Sequence, residues 1–184
     1  MSPISPVEVD IVIENLNDNG NNPNNISTSV LLNSKHILSP IFCHLINLFV
    51  EQGYFPDNLK VGCITPIFKG GDKYKVNNYR PVCSLSSLSK IIEKIITNRM
   101  TNFLEDNDIL SETQFGFRKN MGTETALLNF IDNIQNQLNS HKYTISVFMD
   151  LSKVFDVINH KILKDNLDHY GCRGIFLNFL MDFI

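Results

Sequence analysis

Asp150 is the residue whose place in the sequence most suggests chemistry. It directly follows residues 143–149, a β-branched and aromatic run that predicts a strand with at least one buried face. Ligands and metals gather at strand ends in α/β sheets, because the fold is rigid there and the backbone opens to solvent. A carboxylate at that place could hold a hard cation such as Mg²⁺. It could equally cap a following helix, and this stretch alone leaves both interpretations open.

Two cations, Lys69 and Arg80, mark a second place where chemistry is possible. Residues 60–68 and 78–84 have β-like composition, and the Gly-Gly turn of residues 69–73 joins them, which predicts a mobile β-flap. A lysine is a point charge and an arginine is a planar fork, a combination that suits a triphosphate. Ordinary exposed charges without a ligand are the alternative.

The elements around the flap and the strand are predicted to be helical. The clearest helix covers residues 86–105, where apolar residues recur at intervals of three and four and Ser86 or Ser87 can cap the first turn. An Asn-rich stretch with Gly and Pro, residues 17–25, is predicted to be a loop. Further helices are predicted over residues 6–17, 27–33, 39–52, from 122 to 138, over 159–167 and over 174–184.

Residues 147–156, Val-Phe-Met-Asp-Leu-Ser-Lys-Val-Phe-Asp, match a known pattern. They resemble the first catalytic palm motif of reverse transcriptases from non-LTR (LINE-type) retrotransposons. The resemblance implies that Asp150 is a catalytic residue that binds Mg²⁺ or Mn²⁺. It also implies that Phe155 is the steric gate beneath the sugar of the incoming nucleotide. Val154 departs from the family, which usually has Ala at that position.

The flap is similar to the fingers motifs of the same family. The similarity lies in residues 64–72, Ile-Thr-Pro-Ile-Phe-Lys-Gly-Gly-Asp, and residues 78–81, Asn-Tyr-Arg-Pro. It implies that Lys69 and Arg80 bind the phosphates of the incoming deoxynucleotide. The flap has no Gly-x-x-x-x-Gly-Lys phosphate loop, so the sequence does not support a P-loop NTPase.

Residues 114–119, Gln-Phe-Gly-Phe-Arg-Lys, interleave aromatic rings with a basic pair. Such a segment can stack on bases and pair with phosphates, although phenylalanines in it more often fill a core. The segment resembles a fingers motif that lies near the template strand in the same family. The resemblance implies template binding by Gln114, Gly116 and Arg118.

The resemblance implies an α+β fold, with the fingers and a partial palm of a right-hand polymerase, rich in helices and carrying a β-flap and a palm strand. The expected domains are a helical N-terminal region with the Asn-rich loop (1–58), the fingers (59–142) and the start of the palm (143–184). The implied partners are an RNA template, a DNA primer and deoxynucleoside triphosphates.

Catalysis of nucleotidyl transfer by such a site needs more carboxylates than Asp150 alone. Two divalent metals lie about 4 Å apart in these sites, and the family supplies the second acid motif as an Asp-Asp pair, which this sequence lacks. We therefore expect a truncated polymerase fragment that is inactive alone. A non-catalytic nucleic-acid-binding remnant and an unstable relic are the alternatives.

The composition indicates a reducing compartment, but it neither favours nor excludes binding to a polyanion. Net charge is −3, yet residues 60–119 carry ten Lys/Arg against six Asp/Glu, which suits a polyanion as well as a solvated surface. Four scattered cysteines argue against a zinc site or a disulfide framework. No signal peptide is seen, and the longest apolar stretch, residues 37–50, is too interrupted to span a membrane. An intracellular protein of the nucleus or cytoplasm, not secreted and without membrane contact, is expected.

Overall fold

The elements of the computed structural model are mostly helices. It describes residues 2–16, 26–151 and 154–184; the Asn-rich loop predicted over 17–25, as well as Ser152 and Lys153, lie outside these ranges. The helices are α1 (Pro6–Glu14), α2 (Thr28–Gln52), α3 (Asp57–Lys60), α4 (Ser87–Asp106), α5 (Thr123–Asn139), α6 (His160–His169) and α7 (Gly174–Phe183). The strands are β1 (Cys63–Phe68) and β2 (Tyr79–Ser84), and short 3-10 turns cover Val76–Asn78 and Val154–Val157.

Helix α1 begins at a complete capping box. The backbone N–H of Glu8 donates to the Ser5 hydroxyl, and the Glu8 carboxylate accepts from the backbone N–H of Ser5 (3.0 Å). Pro6 occupies the first helical position, where its missing N–H costs nothing. Val9 and Ile13 are fully buried against α2, so the first fifteen residues are anchored to the fold.

Helix α2 corrects the prediction of two separate helices over 27–33 and 39–52, because it runs unbroken from Thr28 to Gln52 with Pro40 inside it. The proline ring lies on the exposed side, so its missing hydrogen bond faces solvent. Ser39, beside it, is 1% exposed and donates from its hydroxyl to Asp10 of α1 (2.5 Å). The buried face holds the helix together across the proline. Gly53 then ends the helix in the left-handed conformation (φ 66°).

The two strands predicted for the flap are confirmed, while the predicted mobility of the flap stays a prediction. β1 and β2 pair antiparallel from Cys63 opposite Ser84 to Phe68 opposite Tyr79. Pro66 lies directly opposite Pro81. Since the pair Lys69–Asn78 is hydrogen-bonded through the Lys69 N–H (2.7 Å), alternation makes the proline pair a non-hydrogen-bonded one. Neither missing N–H is needed there, which is why two prolines fit in one two-stranded sheet.

Helix α4 begins as predicted, with Ser86 as its cap. The Ser86 hydroxyl accepts from the backbone N–H of Ser89 (3.1 Å). Two serines of its first turn are buried because each donates to a carbonyl: Ser87 to Ile26 (2.9 Å) and Ser89 to Leu59 (2.7 Å). Its apolar face is buried through Ile91, Ile92, Ile95 and Ile96.

The chain divides into two compact units. The first combines Met1–Asn98 with His160–Ile184, and the second is Arg99–Asn159. In the first unit, α7 packs on α2 around three phenylalanines: the Phe55 ring lies 5.8 Å from Phe179 and 4.6 Å from Phe183 between centroids. The Asp182 carboxylate accepts the Phe55 backbone N–H (2.7 Å) and binds the Lys60 ammonium (3.2 Å).

The strand predicted over residues 143–149 does not form, which corrects the expectation of a palm strand. The segment has no regular secondary structure and no backbone hydrogen bond to another described residue, and its side chains are exposed, with Tyr143 at 101% and Met149 at 87%. A strand requires a neighbouring strand for its backbone groups, and the sheet of the described residues contains β1 and β2 alone. Helix α5 of the same unit likewise has no buried residue.

Within the described ranges, none of the helices is both apolar enough and long enough to cross a membrane.

Candidate functional site

Lys69 and Arg80 share one face of the flap. The Lys69–Asn78 hydrogen bond continues the register of β1 and β2 by one pair, and Arg80 lies opposite Ile67. Alternate residues of a strand point to the same face, so Lys69 and Arg80 are diagonal neighbours, at positions typically about 7–8 Å apart. Both side chains are exposed. The flap therefore presents two cations to one side, where they can hold one polyphosphate.

The tip of the flap is fixed by its own hydrogen bonds. The Asn78 side-chain amide donates to the Asp72 carbonyl (2.8 Å), and the Tyr74 backbone N–H donates to the Asp72 carboxylate (3.0 Å). Gly71 has a φ of 89°, and a Cβ there would lie 3.0 Å from the Asn78 side-chain nitrogen. The tip thus needs glycine both for its backbone and for this close approach.

Aromatic packing stiffens the base of the tip. Phe68 and Tyr79 are the last pair of the ladder, and their rings pack across it with centroids 5.3 Å apart. The Tyr79 hydroxyl also donates to the Lys73 carbonyl (3.0 Å). Because Lys69 and Arg80 flank this pair in sequence, the ring contact fixes the backbone from which both cations project.

Asp150 is an exposed carboxylate on the unpaired segment before the 3-10 turn Val154–Val157. Asp156 in that turn is exposed as well. Among the residues that the structure describes, no group of three or more His, Cys, Asp or Glu side chains is placed to hold a metal ion. A two-metal site needs at least two convergent carboxylates.

Phe155, the predicted steric gate, is in the 3-10 turn and is 74% exposed. Its neighbour Val154 is also exposed. A gate acts by occupying space beside a bound sugar, so an uncovered ring is compatible with that role. Its role stays a prediction.

Arg118, a predicted template residue, is engaged within the second unit. Its guanidinium donates to the Glu105 carboxylate from Nε (2.9 Å) and Nη2 (2.5 Å), and from Nη1 to the Ser111 carbonyl (2.8 Å). The Arg118 side chain is 13% exposed. Hydrogen bonding to Glu105 raises the pKa of Arg118 and, in return, lowers the pKa of Glu105. The arginine therefore holds the shape of its own loop.

Sequence reasoning missed Glu105. It is followed by Asp106, so adjacent acids do occur in this chain, at the end of α4. Glu105 is bound by Arg118 at the end of a helix, whereas the Asp-Asp pair of the family lies in a strand–turn–strand. The sequence offers one weak signal for this ion pair: an acid at the end of a helix, thirteen residues before an arginine in the following loop. The signal is weak because the distance between the two side chains depends on the path of the folded loop.

The remaining template candidates lie in the same loop. The Gln114 side-chain amide donates to the Gly116 carbonyl (3.4 Å), and Phe117 has a φ of 60° with its ring 93% exposed. A left-handed conformation is uncommon for an aromatic residue. The structure brings Gln114, Gly116 and Arg118 together in one loop, closed by Arg118.

The site candidates fall into two sets, one in each unit. Lys69 and Arg80 belong to the first unit, whereas Asp150, Phe155 and the loop with Arg118 belong to the second. The first unit also has a groove of about 520 Å³ between the end of α1, β2 and α4, and its lining includes Lys90, Glu93 and Lys94.

Comparison with known proteins agrees with these motifs. A family model described as reverse transcriptase (RNA-dependent DNA polymerase) matches residues 67–183. The probable RNA-directed DNA polymerase from transposon X-element of Drosophila melanogaster is 30% identical over 162 residues, covering 87% of this chain and 18% of that protein. The RNA-directed DNA polymerase from mobile element jockey of the same species is 32% identical over 117 residues, or 63% of this chain and 13% of that protein.

A third relative extends the match to another element. The putative 115 kDa protein in type-1 retrotransposable element R1DM of Drosophila melanogaster is 30% identical over 139 residues, which is 73% of this chain and 13% of that protein. The chain thus spans less than a fifth of the length of each of these relatives. The family match covers more than half of the chain and includes the flap from residue 67 through β2, the Arg118 loop and Asp150. This chain belongs to the reverse transcriptase (RNA-dependent DNA polymerase) family, among those of non-LTR, LINE-type retrotransposons.

Proposed function

We propose that this chain forms the fingers and the first palm motif of an RNA-directed DNA polymerase, which adds deoxynucleotides to a DNA primer on an RNA template. The fingers are residues 59–142 and the start of the palm is 143–184, preceded by the helical region 1–58. The observation that carries the proposal is the placement of Lys69 and Arg80 on one face of the flap.

The flap cations bind the triphosphate of the incoming nucleotide. Lys69 supplies a point charge and Arg80 a fork with several N–H donors, so together they can neutralise and orient neighbouring phosphate groups. In phosphoryl-type transfers the protein contributes mainly by positioning and by stabilising the charge that develops. A flap with a stiff base, as the Phe68–Tyr79 contact provides, positions both cations together.

Asp150 supplies one carboxylate ligand and Phe155 limits the space beneath the nucleotide sugar. A divalent metal held in a complete polymerase site would neutralise charge on the triphosphate and lower the pKa of the attacking hydroxyl. The single carboxylate of Asp150 does not complete such a site. Polymerization by this chain alone is therefore not expected.

The Gln114–Arg118 loop lies on the template side of the fingers. Arg118 uses three N–H groups on Glu105 and Ser111, which leaves two for a phosphate of the template strand. The clamp supports this role because it presents Gln114 and Gly116 on a loop of fixed shape.

Binding of a deoxynucleoside triphosphate, such as dTTP, tests the role of the flap. We expect Lys69→Ala and Arg80→Ala each to weaken binding about tenfold, since each removes a charge-assisted hydrogen bond. Lys73→Ala is the matched control, because Lys73 is an exposed cation at the tip of the same flap, beyond the paired strands. Equal weakening by all three variants, or no binding by the unmodified chain, would contradict the proposal.

Primer extension separates a polymerase fragment from a nucleic-acid-binding remnant. With Mg²⁺ or Mn²⁺ we expect no incorporation by the chain alone, and any incorporation abolished by Asp150→Asn would overturn this expectation. Salt-dependent binding to a primer–template that is weakened by the flap variants, without triphosphate binding, would favour the remnant.

A further inference from the structure

Tyr74 is the most exposed aromatic side chain of the flap, with 97% of its surface open to solvent. It lies at the tip, between β1 and β2, in the sequence Asp-Lys-Tyr-Lys of residues 72–75. Single exposed apolar side chains are ordinary on protein surfaces. Tyr74 differs from them in two respects, the fixed backbone from which it projects and the charge beside it.

Hydrogen bonds hold the backbone on both sides of Tyr74. Its own N–H donates to the Asp72 carboxylate (3.0 Å). The carbonyl of the preceding residue, Lys73, accepts from the Tyr79 hydroxyl (3.0 Å), and the N–H of the following residue, Lys75, donates to the Asp72 carbonyl (3.2 Å). The ring is thus presented to solvent from a turn of defined shape, so a ligand does not have to order that turn when it binds.

Two cations flank this ring. Lys73 and Lys75 are its direct neighbours in sequence, and both side chains are exposed. Within the described ranges neither lysine forms an ion pair. The acid of the tip, Asp72, instead accepts the Tyr74 N–H. The tip therefore offers an aromatic face together with two cations that are open to a ligand.

Single-stranded nucleic acid is the ligand that matches this combination. Unpaired bases stack on exposed aromatic rings whatever their sequence, and lysines pair with the phosphates between the bases. In a duplex, neighbouring base pairs already cover the faces of each base. An acidic peptide would match the lysines but would leave the ring without a flat partner. The chemistry of the tip therefore favours an unpaired strand over both.

We propose that Lys73, Tyr74 and Lys75 form a tip site for single-stranded nucleic acid, in which the tyrosine ring stacks on an unpaired base and the two lysines contact the neighbouring phosphates. RNA and DNA strands bind alike, because neither a stacked ring nor an ammonium group has to read the 2′-hydroxyl. The tip site uses residues other than Lys69 and Arg80, and it does not depend on the triphosphate role proposed for that pair.

Binding of a short oligouridine to the full chain tests the tip site. We expect Tyr74→Ala to weaken binding about tenfold, since stacking on one base is lost, and Tyr74→Phe to keep the affinity of the unmodified chain. Val76→Ala is the matched control, because it shortens another exposed side chain of the tip (85%) that has no aromatic face. No binding by the unmodified chain, or equal affinities of the Tyr74→Ala and Val76→Ala variants, would overturn the proposal.

Salt dependence separates the role of the ring from that of the lysines. Each phosphate contact contributes about 0.7 to the slope of log K against log salt for a single strand. Lys73→Ala and Lys75→Ala should each make the slope shallower by about that amount, whereas Tyr74→Ala should lower the affinity at every salt concentration with the slope unchanged. A slope that the lysine variants leave unchanged, or that Tyr74→Ala reduces as they do, would contradict the assigned roles.

A fluorescent reporter tests whether a base lies on the ring. The chain contains no tryptophan, so Tyr74→Trp introduces a single indole at the tip. Oligouridine and oligothymidine should both quench its fluorescence, because a base stacks on the indole as on the tyrosine. Inorganic polyphosphate carries the charges without the bases and should leave the fluorescence unchanged. Equal quenching by polyphosphate, or none by saturating oligouridine, would exclude stacking.

Binding of dTTP distinguishes the tip site from the flap cations. Tyr74→Ala should bind dTTP like the unmodified chain, and Lys69→Ala should leave the quenching of the Tyr74→Trp indole by oligouridine in place. If the chain failed to bind dTTP, only the triphosphate role would be lost, since oligouridine binding is measured without a triphosphate. If Tyr74→Ala lost both ligands, the ring would serve the shape of the flap, and the tip site would be overturned.

Discussion

Arg118 donates two parallel hydrogen bonds to Glu105, from Nε to Oε1 at 2.9 Å and from Nη2 to Oε2 at 2.5 Å. The two residues are thirteen positions apart, so the pair closes the loop that follows α4. A bidentate guanidinium–carboxylate contact fixes both planes at once. The third contact, to the Ser111 carbonyl, attaches the start of the loop to the same guanidinium. The loop with Gln114 and Gly116 therefore depends on an acid that belongs to a helix end.

Glu105→Gln should loosen this loop. The amide keeps one acceptor for Arg118 but loses its charge and the second oxygen, so we expect faster amide hydrogen exchange over residues 107–118 with little change in α4. Asp106→Asn is the matched control, because it removes the neighbouring charge without touching the clamp. It should leave loop exchange unchanged or slightly slower, since an acid at a helix C-terminus is unfavourable.

Acid should reproduce the effect of Glu105→Gln. The pKa of Glu105 is lowered by the hydrogen bonds from Arg118, so its contribution is present above the ordinary Glu value of 4.5 and is lost as pH falls through the lowered pKa. We expect loop exchange, corrected for its intrinsic pH dependence, to rise below about pH 4.5 in the unmodified chain and to be flat there in Glu105→Gln. A parallel rise in both would show that the clamp does not govern the loop.

Gly53→Ala should destabilise the first unit by about 2 kcal/mol, because the left-handed backbone alone costs an alanine about 1–2 kcal/mol. The new Cβ would also lie 3.1 Å from the Ile175 carbonyl oxygen and 3.2 Å from its Cγ2. Gly174→Ala is the matched control, since Gly174 has φ 63° but open space around its Cβ position. Urea unfolding measures the loss of unfolding free energy in each variant, and the difference between the two losses is the cost of the contact with Ile175 of α7. Equal losses would mean that the new Cβ and Ile175 move apart without a cost in stability.

The flap could be predicted from the sequence because its determinants are local. Gly70 and Gly71 set the tip, and β-branched and aromatic residues flank it. The cap of α4 at Ser86 is local in the same way. In contrast, the break predicted between residues 33 and 39 was wrong, because α2 is continuous there. Ser39 is buried and bonds to Asp10 of α1, a long-range contact that the local sequence does not show.

The candidate site also combines features that the local sequence determines with features that depend on long-range contacts. Lys69 and Arg80 could be assigned to the flap from the sequence, but their shared face follows only from the observed register of β1 and β2. The strand expected before Asp150 could not be settled this way: residues 143–149 have the composition of a strand, but composition supplies no partner for the backbone. Glu105 escaped notice because only the folded path of a loop brings it to Arg118.

Asp182 should make the docking of α7 sensitive to acid. Its pKa is lowered, first by the hydrogen bond from the Phe55 backbone N–H and then by Lys60. The stabilisation is thus present above the ordinary Asp value of 3.8 and is lost as pH falls through the lowered pKa. We expect the free energy of unfolding at pH 7 to fall in the order unmodified, Asp182→Asn, Asp182→Ala, because the amide can still accept from Phe55.

The pH dependence distinguishes the charge of Asp182 from simple packing. The difference in unfolding free energy between the unmodified chain and Asp182→Asn should shrink below about pH 3.8 and vanish once Asp182 is protonated. Asp57→Asn, which removes the more exposed partner of Lys60, is the control and should have the smaller effect at pH 7. If the difference in unfolding free energy stayed constant with pH, the loss of stability in Asp182→Asn would come from the geometry of the side chain and not from its charge.

The Asn47 side chain holds the N-terminal segment by hydrogen-bonding to both backbone groups of Ile4, as a neighbouring strand would. Its side-chain oxygen accepts the Ile4 N–H (2.7 Å) and its amide nitrogen donates to the Ile4 carbonyl (2.9 Å). Asn47→Asp keeps the size of the side chain but turns the donor into an acceptor, so two oxygens face each other beside the buried Ile4. We expect a loss of about 2 kcal/mol or more at pH 7, at least as large as for Asn47→Ala.

The Asn47→Asp variant should regain stability in acid, where most variants lose it, because a protonated carboxyl can donate to the Ile4 carbonyl as the amide does. Urea unfolding at pH 7 and near pH 4 measures this. Asn102→Asp, the same change at an exposed position of α4, should show no such recovery relative to the unmodified chain. If Asn47→Asp matched Asn102→Asp at both pH values, the Ile4 pairing would not hold the N-terminal segment, and the capping box at Ser5 would have to anchor it alone.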